Sequence, residues 1–181
     1  MLMSEDKQLL KLLRHGDNSA LRRLYEKYRT DLFTVAMSLI HDIHAAEDCL
    51  QDVFARLAEG AADMKIRRNL KGYLISSVAN RARDRLRRKT KPLDKGESFG
   101  CSVGTTDPVK VLIDREESAR VFNMLMRLPY DQREVFVLHV QGEMKFREIA
   151  ELQNVSIKTV LSRYHYGIEK LQALLQKDNT K

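Results

Sequence analysis

The sequence predicts an all-α protein made of two small helical domains joined by a flexible linker, the second containing a helix-turn-helix. Three observations carry this expectation. Apolar residues recur at helical spacing almost throughout, with no sustained period-two alternation that would indicate strands. Residues 92–108 interrupt that spacing with three glycines and a proline at each end. Beyond them, two helical runs are separated by a tight turn of the length a helix-turn-helix uses. At 181 residues and 43% apolar content, the chain can bury two small cores or one large one.

The elements follow in order. A short helix is expected near Leu9 to Leu13. A turn at Gly16 and a cap at Asp17 or Ser19 open the next, in which Leu21, Leu24, Tyr25, Tyr28, Leu32, Val35, Ala36 and Leu39 share one face. After Asp42 comes the stripe Ala46, Cys49, Leu50, Val53, Phe54 and Leu57, stopping at Gly60. A further stripe runs Leu70, Leu74, Val78, Ala82 and Leu86. These form a bundle of about four helices over residues 1–91. The linker, 92–108, has no helical period; Gly96, Gly100 and Gly104 are not followed by the Gly-Lys-Ser/Thr of a phosphate loop, so they read as flexibility. Its 17 residues could span up to roughly 55 Å, so the halves can engage separate sites.

Residues 109–181 form the second domain. Val121, Phe122, Leu125 and Leu128 resume the helical spacing until Pro129; Val135, Leu138 and His139 continue it until Gly142. Phe146 to Leu152 is then the first helix of the motif, Gln153-Asn154-Val155 the turn, and Ser156 the cap of a second helix running to about Leu175. Small Ala150 allows close crossing and Val160 packs back. With Ile157, Val160 and Leu161 taken as inward, the outward set is Ser156, Lys158, Thr159, Ser162, Arg163 and Tyr166, donors suited to phosphates and base edges in a major groove. A plain helical hairpin is the alternative. Glu143, Glu148 and Glu151 make the first helix acidic, so binding by this half alone should be modest.

Charge divides the chain. Residues 1–95 carry 20 Lys and Arg against 13 Asp and Glu, and residues 96–181 carry 12 against 12, so the whole net charge of +7 lies in the first half. Lys65, Arg67, Arg68, Lys71, Arg81, Arg83, Arg85, Arg87, Arg88, Lys89 and Lys91 surround the single acid Asp84, a density that points to a polyanion. Tyr73, Asn80 and Arg87 recur every seven residues with Arg83 beside them, away from the Leu70, Leu74, Val78 stripe. An aromatic, amide and basic face of this kind can hold a phosphate backbone and meet exposed bases; a merely solvated basic face is the alternative. On the preceding helix, Glu47, Asp48, Gln51 and Asp52 put two i,i+4 pairs opposite the apolar stripe, and the like-charged one, Asp48 and Asp52, costs about 0.2–0.5 kcal/mol. A partner surface and a solvated acidic face both account for it.

Other chemistry has little support. Cys49 and Cys101 have no CxxC or His-paired spacing and read as free thiols in a reducing cytoplasm. His41 and His44 lack further ligands, so no metal or cofactor is expected. No convergent carboxylates or nucleophile pair indicates catalysis. The start, Met1-Leu2-Met3-Ser4-Glu5-Asp6, lacks a secretion signal and no run of apolar residues would span a membrane, so a cytoplasmic protein is expected.

With these elements in order, the chain resembles sigma factors of the extracytoplasmic-function (ECF) group over about residues 10–175. Ala46-Glu47-Asp48-Cys49-Leu50-Gln51-Asp52-Val53-Phe54 is similar to the family's helix that grips the polymerase clamp. Tyr73-Leu74 with Val78-Ala79-Asn80-Arg81-Ala82-Arg83-Asp84 is similar to its promoter-melting helix. Leu128-Pro129-Tyr130-Asp131-Gln132-Arg133-Glu134-Val135, Phe146-Arg147-Glu148-Ile149-Ala150-Glu151 and Thr159-Val160-Leu161-Ser162-Arg163 are similar to its reader of the far upstream element. The resemblance implies core RNA polymerase as a partner through Glu47, Asp48, Gln51 and Asp52, promoter DNA as the polyanion, and, for many members, an anti-sigma factor. It also implies that polymerase supplies all bond chemistry.

The chain departs from the family pattern in places. Tyr73 stands where the family usually has Trp. Lys145 replaces a capping Ser or Thr, so that helix should start more weakly. Lys158 and Leu161 replace a usual Gly and a basic residue, and the Gly60 to Asn69 loop has no residue-by-residue match. An ordinary helix-turn-helix regulator, its first domain sensing a ligand or dimerising, is the rival reading, and the basic helix of the first half argues against it.

Overall fold

The computed structural model describes residues 4–60, 69–90 and 116–178, all of whose regular structure is helical. Helices α1 (Ser4–Arg14), α2 (Asn18–Ile40), α3 (Ile43–Gly60) and α4 (Leu70–Thr90) make the first half; α5 (Glu116–Met126), α6 (Tyr130–Val140), α7 (Phe146–Gln153) and α8 (Ile157–Asp178) make the second. The expected linker, 92–108, lies outside the described residues.

α2 is the centre of the first half because its apolar face is the longest. Leu24, Leu32, Val35, Ala36 and Leu39 are fully buried, and Leu21 and Tyr25 pack at the margin. Gly16, at φ +83°, makes the turn that leads into it, and Asp17 caps it by accepting the Ser19 N–H at 2.9 Å. Its far end closes at His41 in the left-handed region, φ 59°, whose N–H returns to the Met37 carbonyl. α1 lays Leu9, Leu10 and Leu13 on this helix and is pinned by Asp6. That nearly buried carboxylate accepts from Lys27 Nζ at 2.7 Å and from the Tyr28 hydroxyl at 2.8 Å.

α3 begins where the Ala45 N–H donates to Asp42, and it buries Ala46, Cys49, Leu50, Val53, Phe54 and Leu57, the stripe expected from the sequence. α4 buries Leu70, Leu74, Val78 and Ala82 against α2 and α3. Each leucine taken fully from water contributes roughly 1.5–3 kcal/mol, so burial among the three long helices is a large part of what holds this half together.

In the second half α6 is covered on two sides, by α2 of the first half and by α8. Glu134 and Val137 are therefore buried along with the expected Val135 and Leu138. Asn154, at φ 53°, makes the left-handed turn, and Ser156 caps α8 by accepting the Thr159 N–H at 3.1 Å. Lys145 offers no side-chain cap to α7, but Glu148 reaches back to accept the Lys145 N–H at 2.9 Å and so holds the helix start.

Two expectations are corrected. Ile157 and Leu161 do not face inward: each is 45% exposed. The inward stripe of α8 is Val160, Tyr164, Gly167 and Leu174, because Tyr164 stacks among Phe136, His139 and Phe146, with ring centroids 6.3, 5.1 and 5.0 Å away. Val121, placed on the buried face of α5, is 54% exposed, whereas Leu125 and Leu128 are buried as expected.

Candidate nucleic-acid interface

α4 presents two differently occupied sides. On one, Arg81 pairs with Asp52, and Arg85 donates to Asp48 at 3.1 Å, so the acidic face of α3 lies against the basic helix of the same half. These pairs flank a groove of about 400 Å³ lined by Cys49, Asp52, Arg81, Asp84, Arg85 and Arg88. Asp48 and Asp52 remain about half exposed, Gln51 is exposed, and Glu47 is half-buried with only a 4.0 Å approach from His44. The like-charge cost read from the sequence is thus offset within the molecule by two arginines. Cys49 is a free, buried thiol whose burial pushes its pKa up, which keeps it protonated and poorly nucleophilic.

The other side of α4 carries the residues read as the strand-facing set. Asn80 and Arg87 are exposed; Arg88, also exposed, lies instead on the groove side with Arg81 and Arg85. Tyr73 is half-buried and packs against the core, so it is less free of the core than its spacing suggested. Arg83 donates through one terminal nitrogen to Asn80 at 3.0 Å and through the other to Glu134 of α6 at 2.8 Å. Lys65, Arg67 and Arg68 lie outside the described residues.

On α8, Lys158, Ser162 and Tyr166 are exposed, the last at 59%. Ser156 and Thr159 spend their hydroxyls on each other, 2.9 Å apart, at the cap. Arg163 is not free as the outward reading had it. It donates to Gln153 at 2.8 Å and to Asp131 at 2.6 Å, with its side chain one-quarter exposed. The helix start, with exposed Lys158 and Ser162, makes a surface that would receive phosphate oxygens.

Glu134 is the residue that sequence reasoning missed. Its side chain is 3% exposed and accepts from Arg83, from Gln153 Nε2 at 2.7 Å and from the Tyr130 hydroxyl at 3.3 Å. Burial pushes its carboxyl up, against the opposing pull of Arg83 and of these hydrogen bonds. Burial next to Glu134 likewise raises the Tyr130 hydroxyl. The available signal was an acid on a short helix between Tyr130 four residues earlier and Leu138 four residues later. Among the described residues no cluster of His, Cys, Asp and Glu could hold a metal ion, and no helix is long and apolar enough to cross a membrane.

Comparison with known proteins locates these surfaces in a family. The model of Sigma-70 region 2 matches residues 24–91 and that of Sigma-70, region 4 matches residues 118–171. The chain is 25% identical to the ECF RNA polymerase sigma factor SigW of Bacillus subtilis, over 94% of this chain and 96% of that one. It is 31% identical to the probable ECF RNA polymerase sigma factor SigI of Mycobacterium tuberculosis, over 87% of this chain and 55% of the relative. Two solved structures share its fold. CnrH, in complex with the cytosolic domain of CnrY, has a TM-score of 0.68 at 24% identity, over 97% of this chain and 99% of that chain. The sigma factor RpoE of Bartonella quintana, in complex with the anti-sigma factor NepR, has a TM-score of 0.65 at 20% identity, over 86% and 96%.

Proposed function

We propose, from the premise that the chain belongs to the extracytoplasmic-function group of sigma factors and so directs RNA polymerase to promoters, a division of labour between its two halves. Residues 1–91 dock on core polymerase through Glu47, Asp48, Gln51 and Asp52 and hold the opened promoter strand with Tyr73, Asn80, Arg83, Arg87 and Arg88, joined by Lys65, Arg67 and Arg68. Residues 92–108 link them to residues 109–181, which read duplex DNA with Ser156, Lys158, Thr159, Ser162, Arg163 and Tyr166. The observation that carries this reading is the order of surfaces along one chain: acidic helix, basic helix and helix-turn-helix, spread over the two matched regions. A ligand-sensing regulator would not need the basic helix.

The mechanism is binding. Asp48 and Asp52 exchange Arg85 and Arg81 for cations of the polymerase, an exchange that costs little because exposed ion pairs contribute about 0–1 kcal/mol. α4 then holds an unstacked base, whose extrusion costs a few kcal/mol, and polymerase carries out the bond chemistry in the cytoplasm. The complexes of fold neighbours with CnrY and NepR support an anti-sigma factor as a further partner. The test is run-off transcription with core polymerase on a genomic library: the chain should select a small set of promoters sharing two upstream elements. Transcripts no different from those of core polymerase alone would contradict the reading.

A further inference from the structure

The two halves meet through a series of side chains that ends at both arginines expected to face DNA. Arg83 of α4 donates to Glu134 of α6; Gln153, at the end of α7, donates to Glu134 through Nε2 and accepts from Arg163 of α8 through Oε1. An amide placed between a carboxylate and a guanidinium has only one satisfying orientation, so Gln153 is fixed by charge at both ends. Arg83 has one terminal nitrogen on Asn80 and the other on Glu134, which leaves it unable to offer the forked pair of N–H groups that grips a phosphate.

We propose that Glu134 and Gln153 are positioning residues that latch the halves closed, with Glu134 and a nucleic-acid phosphate competing for Arg83. This rests on the reading above that Arg83 faces the opened strand. The rest of the interface is an apolar core shared by the two halves, in which Val135, Val137 and Leu138 of α6 are buried, and a set of polar contacts that are exposed or long. Lys71 bridges Asp31 at 2.9 Å and Glu143 at 2.7 Å, but Glu143 is 72% exposed. Ser38 reaches Gln141 only at 3.3 Å. Arg133 donates to the Leu39 carbonyl at 3.2 Å, at the end of α2. Gly142 lets the α6–α7 turn lie close to α4: an added Cβ would meet Ile75 at 3.1 Å and the Leu138 carbonyl at 2.5 Å. Among the described residues, only the Arg83–Glu134 pair joins the halves through a carboxylate that is almost wholly out of water. A buried carboxylate left without its guanidinium is costly, whereas exposed pairs are exchanged readily. The latch therefore opens when something better than Glu134 claims Arg83, and a DNA strand carries such a group at every nucleotide.

Small-angle X-ray scattering of the full chain, free of DNA and polymerase, tests the latch. Arg83→Glu sets two carboxylates against each other and should raise the radius of gyration by roughly 3 Å or more above the about 16 Å of a compact chain of this length, with helical circular dichroism retained. Adding Glu134→Gln should restore the smaller radius, because the new amide donates to the carboxylate introduced at position 83 while still accepting from Gln153. In a separate arm, Glu134→Gln alone should bind a short single-stranded DNA of mixed sequence about tenfold more tightly than wild type, since one charge-assisted competitor for Arg83 is removed. An Arg83→Glu chain as compact as wild type overturns the latch. So does an expansion that Glu134→Gln fails to reverse, or unchanged oligonucleotide binding by Glu134→Gln. Neither arm contains polymerase, so a wild-type chain that fails in run-off transcription would overturn the functional reading and leave the scattering result standing.

Discussion

Asp48 and Glu134 both meet an arginine of α4, but in opposite surroundings. Asp48 pairs with Arg85 at the surface with its side chain 56% exposed, whereas Glu134 pairs with Arg83 at 3% exposure and takes two further hydrogen bonds. Water competes for the first pair and hardly reaches the second. The surface pairs of α3 and α4 can therefore be given up to a partner at small cost, while the buried pair commits one half of the molecule to the other. The same helix thus carries an easily surrendered side and a committed side.

The largest effect should come from the element the two halves share. Leu138→Ala in α6 removes a fully buried side chain between α2 and α8 and should lower unfolding stability by about 2–5 kcal/mol in a urea titration. Next, Arg83→Met should cost about 1–3 kcal/mol, because Glu134 keeps Gln153 and Tyr130 but loses its cation. Arg85→Met should change stability by less than about 0.5 kcal/mol, since Asp48 is already solvated. Equal costs for Arg83→Met and Arg85→Met would erase the distinction between the two sides of α4.

DNA recognition sharpens a second contrast, between a tethered and an untethered cation of α8. Arg163 holds Gln153 and Asp131 through its two terminal nitrogens in the free chain and must release them to read a base, after which Arg163→Ala should cost about 1–3 kcal/mol of discrimination at one base pair, measured as relative promoter use across upstream variants. Lys158 is exposed at the helix start, and Lys158→Ala should weaken binding evenly across those variants. Equal losses on every variant for both would remove α8 as the reader.

A smaller effect is a pH slope. Glu134 has its carboxyl raised in the folded chain by burial, so the native state binds its proton more tightly than the unfolded state does. Stability should then fall as pH rises from the ordinary carboxylate range through the raised folded value, the interval in which the unfolded chain has already lost the proton. Glu134→Gln should flatten that part of the curve in thermal melts followed by circular dichroism. A wild-type curve that rises over this interval and is unchanged in Glu134→Gln would contradict the assignment.

Much of this architecture was legible in the sequence because most helices here have one buried face. α2 and α3 show an apolar stripe with a cap before it, at Asp17 and Asp42; the α3 stripe is buried as read, while α2 leaves Leu21 and Tyr25 at the margin and buries Phe33, Met37, Ser38 and Ile40 beyond its stripe. α6 was harder, since a helix covered by both halves buries Glu134 and Val137 on positions that local periodicity assigns to water. The inward face of α8 was misread because Leu161 looks apolar and Tyr164 does not. In the fold Tyr164 joins an aromatic cluster and Leu161 is left outside. The side-chain links from Arg83 to Arg163 join residues up to 51 positions apart, a separation that no helical spacing encodes.

The central claim, that the acidic face of α3 is a polymerase-docking surface, is tested most directly by pull-down of core RNA polymerase with the Asp48→Arg/Asp52→Arg double variant. The variant puts two new cations beside Arg81 and Arg85 and opposes the basic surface expected on the polymerase, where like-charge contacts cost several kcal/mol. Holoenzyme formation should collapse while the chain stays folded, because both positions are exposed, and salt-sensitive binding of the free protein to DNA should persist or strengthen. A folded double variant that captures core polymerase as strongly as wild type would contradict the account.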